Sequence, residues 1–154
     1  MVENNCCFTG HRFIKNEKNV YIRARLSEEI FKQIKRGKTG FICGGALGFD
    51  TMAAKMVLEF KRIFPGISLI LYLPCKDQTK NWRKSDAKVF DDILKKADEI
   101  KYISNEYYSG CMHKRNLAMI NSSSTCIAFL EKNSGGTFFT VKSALNRQKE
   151  VIYI

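Results

Sequence analysis

Apolar and polar residues alternate along this chain in two rhythms. Short apolar-rich runs at residues 6–9, 40–43, 67–73, 99–103, 125–130 and 151–154 have the length and density of strands. The run over 67–73 is almost unbroken, as in a parallel strand buried on both faces. Longer stretches between the runs repeat apolar positions every three to four residues. Ile22, Leu26, Ile30 and Ile34 predict a helix over 20–36, stopped at Gly37. Met52, Met56, Phe60 and Ile63 predict another over 49–64, ended by Pro65-Gly66. Further helices are expected over 85–97, 112–122 and 138–147.

Repeated strand–helix alternation points to one α/β domain over residues 1–154. The expected form is a Rossmann-like three-layer sandwich with a mostly parallel central sheet of about six strands. In such sheets ligands sit beyond the carboxyl ends of the strands, near the point where strand order reverses. The loops that follow strands are therefore the places to look for chemistry.

Composition narrows the picture. With 45% hydrophobic and 27% charged residues the chain is expected to fold around its own core. No apolar run approaches the ~18 residues of a membrane span, and Met1 to Asn5 lacks the basic start of a signal peptide. Most of the six cysteines lie in or beside apolar runs, which reads as buried reduced thiols in a cytoplasmic protein. Lysine and arginine exceed aspartate and glutamate by 26 to 15, a net charge of +11 compatible with a polyanion. Yet Lys15, Lys35, Lys61, Lys84, Lys95, Lys132 and Lys149 fall in different segments, which favours a solvated surface over a nucleic-acid stripe.

Four loops carry candidate chemistry. Thr9-Gly10-His11-Arg12 follows the first strand; Arg12 offers a forked cation for phosphate, and His11 could donate, act as a base or cap a helix. Gly44-Gly45-Ala46-Leu47-Gly48-Phe49-Asp50 joins a strand to a helix whose free N–H groups favour an anion. Asp50 reads either as that helix's N-cap or as a ribose contact or catalytic base. Ser134-Gly135-Gly136-Thr137 is a second strand–helix loop, a phosphate cradle or an ordinary turn. Cys111-Met112-His113-Lys114-Arg115-Asn116 opens a helix whose Arg115 and Asn116 could reach the site or lie in a solvated first turn. Trp82 reads as a lid over a base or as a core aromatic. Without Cys-x-x-Cys or His-Glu-x-x-His spacing, no metal site is expected from His11, His113 and Cys111, and no pattern marks an activated thiol.

Together and in this order, Thr9-Gly10-His11-Arg12, Gly44 to Asp50, Lys114-Arg115-Asn116 and Ser134 to Thr137 resemble the SLOG superfamily. That superfamily joins the Smf/DprA proteins and the LOG phosphoribohydrolases. With Leu73-Pro74-Cys75-Lys76-Asp77-Gln78, Asn81-Trp82 and residues 107–116, the chain most resembles the YpsA-type family. The resemblance implies binding or sensing of a nucleotide or nucleotide-derived ligand, such as an ADP-ribose-like molecule, with no obligatory cofactor. It implies ligand contacts from Gly10, His11, Arg12, Gly44, Gly45, Gly48, Asp50, Arg115, Asn116, Ser134, Gly135, Gly136 and Thr137, and a homodimer. LOG-like hydrolysis of a nucleotide N-glycosidic bond is an alternative, with Asp50 as catalytic residue. LOG enzymes place an acid after their glycine motif, where Thr140, Val141 and Lys142 stand here, so binding is favoured over turnover. Smf/DprA-like binding of single-stranded nucleic acid is a further alternative, and no membrane partner is expected.

Overall fold

Six strands alternate with five helices in the computed structural model, which describes residues 1–154. After a 3-10 turn (Val2–Asn4) come β1 (Asn5–Gly10), α1 (Asn16–Lys35), β2 (Gly40–Cys43) and α2 (Phe49–Ile63). There follow β3 (Ser68–Leu73), α3 (Lys84–Lys96), β4 (Glu99–Tyr102), α4 (Cys111–Asn121), β5 (Thr125–Phe129), α5 (Gly136–Asn146) and β6 (Glu150–Tyr153). The strands form one sheet in the order β4-β3-β2-β1-β5-β6, with all pairings parallel.

The strand sequences read as apolar runs because both faces of the sheet are covered. Alternate residues point to opposite faces. Cys6 and Phe8, Phe41 and Cys43, and Ile127 and Phe129 enter a larger core with Ile22, Leu26 and Ile30 of α1, Phe49, Ala53 and Val57 of α2, and Ile93 of α3. Their neighbours Cys7, Ile42 and Cys126 enter a smaller core with Met119 and Ile120 of α4 and Ala144 of α5. Helices α1 to α3 thus cover one face, and α4 and α5 the other.

This layering positions the site. The chain steps outward from β1 to β4, then α4 carries it back across the opposite face to β5, beside β1. Strand order reverses between β1 and β5, where Gly10 pairs in register with Phe129. The connections leaving these two strands diverge, and a crevice opens between them.

Two helices begin earlier than their apolar pattern. α1 starts at Asn16 because its first turn, Asn16-Glu17-Lys18-Asn19, is solvated and carries no apolar phase. α5 starts at Gly136, two residues before its first aromatic. All six cysteines are buried and unpaired. Burial pushes the Cys6 and Cys43 thiols well above their ordinary range, which makes them poor nucleophiles. No helix is long and apolar enough to cross a membrane.

Candidate functional site

At the β1/β5 reversal lies a cavity of about 380 Å³. Gly10, His11 and Arg12 line it from the end of β1, and Asp50 from α2. Arg115 and Asn116 of α4 form a further wall, with Ser134, Gly135, Gly136 and Thr137 at the start of α5. Gly44, Gly45 and Gly48 do not line it; Ala46 is their loop's contribution.

The two glycine loops differ in what surrounds them. In the first, Phe49 donates its N–H to the His11 carbonyl at 3.1 Å, so the start of α2 is already capped by the β1 loop. Gly48 is the N-cap of α2 at φ 76°, and a Cβ there would overlap the Arg12 carbonyl. A Cβ at Gly44 would lie 2.8 Å from Arg115 Nη1 and 2.9 Å from Asp50 Oδ2. These glycines let neighbouring segments interlock. In the second loop Gly135 is the N-cap of α5, and a Cβ there would meet nothing within 4 Å. A Cβ at Gly136 would have only Asn116 Nδ2 in reach, at 3.9 Å. The first N–H groups of α5 have no intrahelical acceptor and carry the positive end of the helix dipole. Arg12 and Lys132, both exposed on the cavity wall, form no ion pair with any carboxylate.

Behind this open end sits a buried charged group. Arg115, only 5% exposed, donates through Nη1 to the Gly44 and Tyr72 carbonyls and through Nε to Asn116 Oδ1 at 2.7 Å. The solvated first turn expected here is therefore confined to His113 and Lys114, while Arg115 fastens the ends of β2 and β3 and orients Asn116. Asp50 is not the N-cap of α2 but its second residue. Its Oδ2 accepts the Ala46 N–H at 3.2 Å, holding the loop to the helix. Burial pushes the Asp50 carboxyl up to about 6, although Arg115, the Ala46 N–H and Arg12 all pull it down.

His11 caps α2 with its main-chain carbonyl, not its ring. Nε2 accepts the Glu131 N–H at 2.8 Å, which places the ring proton on Nδ1. Burial and the nearby Lys132 hold its pKa below the ordinary value, so the imidazole is neutral at pH 7. His113 packs against Phe139 with ring centroids 4.3 Å apart. The chain gathers no group of three or more His, Cys, Asp or Glu side chains able to hold a metal ion.

A second cavity of about 430 Å³ adjoins the first, and the two share Arg12, Ala46, Met112 and Arg115 as walls. Its remaining lining comes chiefly from the β3–α3 connection, including Pro74, Gln78 and Trp82, together with Tyr107. Trp82 is half-buried and meets Phe90 edge-on at 5.5 Å, so it both lines a cavity and packs on α3.

Residues 7–153 match the YpsA family model, described as the YspA SLOG family. The chain belongs to this SLOG family. Among its relatives is a UPF0398 protein of Halalkalibacterium halodurans, 26% identical over 145 residues, which make up 92% of this chain and 77% of that protein. Another is the SPbeta prophage-derived protein YoqJ of Bacillus subtilis, 30% identical over 150 residues, covering 89% and 85% of the two chains. Two solved structures share the fold. DNA processing protein A of Helicobacter pylori, described for its single-stranded DNA binding mode, matches with TM-score 0.73 at 20% identity over 99% of this chain. DprA of Streptococcus pneumoniae matches with TM-score 0.70 at 15% identity over 98% of it. The present chain spans 65% and 50% of those two proteins.

Seen as a SLOG domain, the site contains parts the sequence pattern passed over. In sequence Lys132 is one of many dispersed lysines, yet it stands just past β5, on the same carboxyl edge as Ser134 to Thr137. Position after a strand was the available signal, and charge dispersal concealed it. His113 and Met112 also line the first cavity, one turn before Asn116 on α4.

Proposed function

We propose that this SLOG domain binds a phosphorylated nucleoside or an ADP-ribose-like relative of one. The phosphate would sit at the open start of α5, between Arg12 and Lys132, and the sugar against Asp50 and Asn116. One observation carries this reading: Gly135 and Gly136 face open space at a helix N-terminus flanked by two cations without carboxylate partners. The neutral His11 adds no charge but offers Nδ1–H as a donor on the same wall.

Ribose 5-phosphate, titrated calorimetrically, tests the phosphate end. Millimolar or tighter binding is expected, weakened about tenfold by Arg12→Ala through loss of a charge-assisted hydrogen bond. Undetectable binding by folded protein, or an Arg12→Ala variant with wild-type affinity, overturns the reading.

Hydrolysis of an N-glycosidic bond is a second reading, favoured by one observation. Asp50 lines the cavity and titrates at about 6, within the range useful for proton transfer near neutrality. Its engagement with Ala46 and the absence of an acid among Thr140, Val141 and Lys142 support binding without turnover.

A further inference from the structure

The second cavity has its own chemistry. Cavity one is walled mainly by polar side chains and an open helix end, whereas cavity two adds Pro74, Trp82 and Tyr107 to the Met112 that the two share. Its indole is braced from outside by Phe90, and Tyr107 is 63% exposed at the rim. The two cavities meet at Arg12 and Arg115, so a ligand with its phosphate in the first can extend a planar group into the second. A polar atom in the wall makes the surface selective. Gln78 donates Nε2 to the Gly45 carbonyl at 2.9 Å, which fixes the orientation of its carboxamide. Oε1 is then left buried without a hydrogen-bond partner. An acceptor withdrawn from water and given no donor is costly, and a ligand that supplies the donor recovers that cost. Gln78 is among the residues that line the cavity, so a donor on a ligand seated there can approach its carboxamide.

We infer that the cavity between Trp82 and Met112 is a nucleobase subsite that selects a base bearing an exocyclic amine, adenine or cytosine, through Gln78 Oε1. This deepens the proposed function and rests on it. A base with a carbonyl oxygen at that position sets two acceptors against each other and is rejected.

Trp82 is the chain's single tryptophan, so its fluorescence reports occupancy of this cavity without a label. AMP, IMP, CMP and UMP are titrated beside ribose 5-phosphate, which occupies only the phosphate and sugar positions. AMP is expected to perturb Trp82 emission and to bind about tenfold tighter than IMP, or CMP about tenfold tighter than UMP, whichever base fits. Gln78→Leu should remove the preference, and Trp82→Ala should remove the advantage of the nucleotide over ribose 5-phosphate. Unchanged ribose 5-phosphate affinity shows that both variants remain folded. Equal affinity for amine and carbonyl bases, or nucleotides binding no tighter than ribose 5-phosphate, overturns the base subsite while leaving the phosphate site standing. Failure of ribose 5-phosphate itself overturns both.

Discussion

A carboxylate beside a guanidinium ordinarily titrates low, but Asp50 titrates at about 6 because burial outweighs the combined pull of Arg115, the Ala46 N–H and Arg12. The same burial lowers the Arg115 guanidinium from its ordinary value. Both groups sit beside Gly44, whose missing Cβ makes room for them. The charge on Asp50 therefore costs stability. Between its unfolded value of 3.8 and its folded value of about 6 the folded chain holds the proton more tightly, so stability falls as pH rises through that window. The full difference is about 3 kcal/mol, reached above pH 6. Asp98, partly desolvated but held low by Lys61 and the Leu69 N–H, acts with the opposite sign: its contribution is present above its unfolded value and lost on acidification. Asp50→Asn isolates the first effect. Denaturant titrations should show the variant gaining about 2 kcal/mol on wild type between pH 4 and pH 7. A stability difference that stays constant with pH contradicts the buried ionised carboxyl.

The starts of α2 and α5 show how similar loop sequences perform different work. Each combines paired glycines with small neighbours, and each follows a strand. What separates them is what a Cβ would meet: Arg12 main chain at Gly48, open cavity at Gly135. Gly48→Ala must adopt φ 76° and displace backbone, so a loss of about 2 kcal/mol or more is expected in thermal or denaturant unfolding. Gly136→Ala should leave the melting temperature within a few degrees, since it adds only a methyl at a helix start, yet weaken ribose 5-phosphate by filling the space before the N–H groups. A Gly136→Ala variant with intact affinity places the phosphate elsewhere. Alternating periodicities made the six strands and five helices legible in the sequence, and strand-end position made ten of the thirteen expected contacts legible as cavity residues. The remaining three, Gly44, Gly45 and Gly48, do not line that cavity, and a run of glycines records only that space is tight. It does not say whether a ligand or another loop fills that space. The buried state of Arg115 was equally invisible, since Gly44 and Tyr72, which accept its hydrogen bonds, are distant in sequence.

At the scale of the whole molecule the charge is large but dispersed. The +11 balance is spread over both helical layers, and only two free cations of the site, Arg12 and Lys132, stand exposed on the wall of the first cavity. Similarity to DNA processing proteins extends to the fold, at 20% identity or less for the two DprA structures. Affinity for oligo-dT at about 0.15 M salt is accordingly expected to be no tighter than about 1 μM and to fall steeply with further salt, as for non-specific contacts with phosphates. Tight binding that survives such salt, measured by fluorescence anisotropy, favours nucleic acid as the natural ligand over a free nucleotide.

The return of α4 across the sheet also sets a timetable. β1 is made first, but its second neighbour, β5, is made after four strands and four helices have already emerged. Until then Phe8, Phe41 and Phe49 can bury one face of a half-sheet, while Cys7 and Ile42 wait on the other for Met119 and Ile120. The phosphate end waits longer still, for Gly135 and Gly136. During synthesis the chain can hold most of its core before it holds any of its ligand, so recognition is the last property this domain acquires.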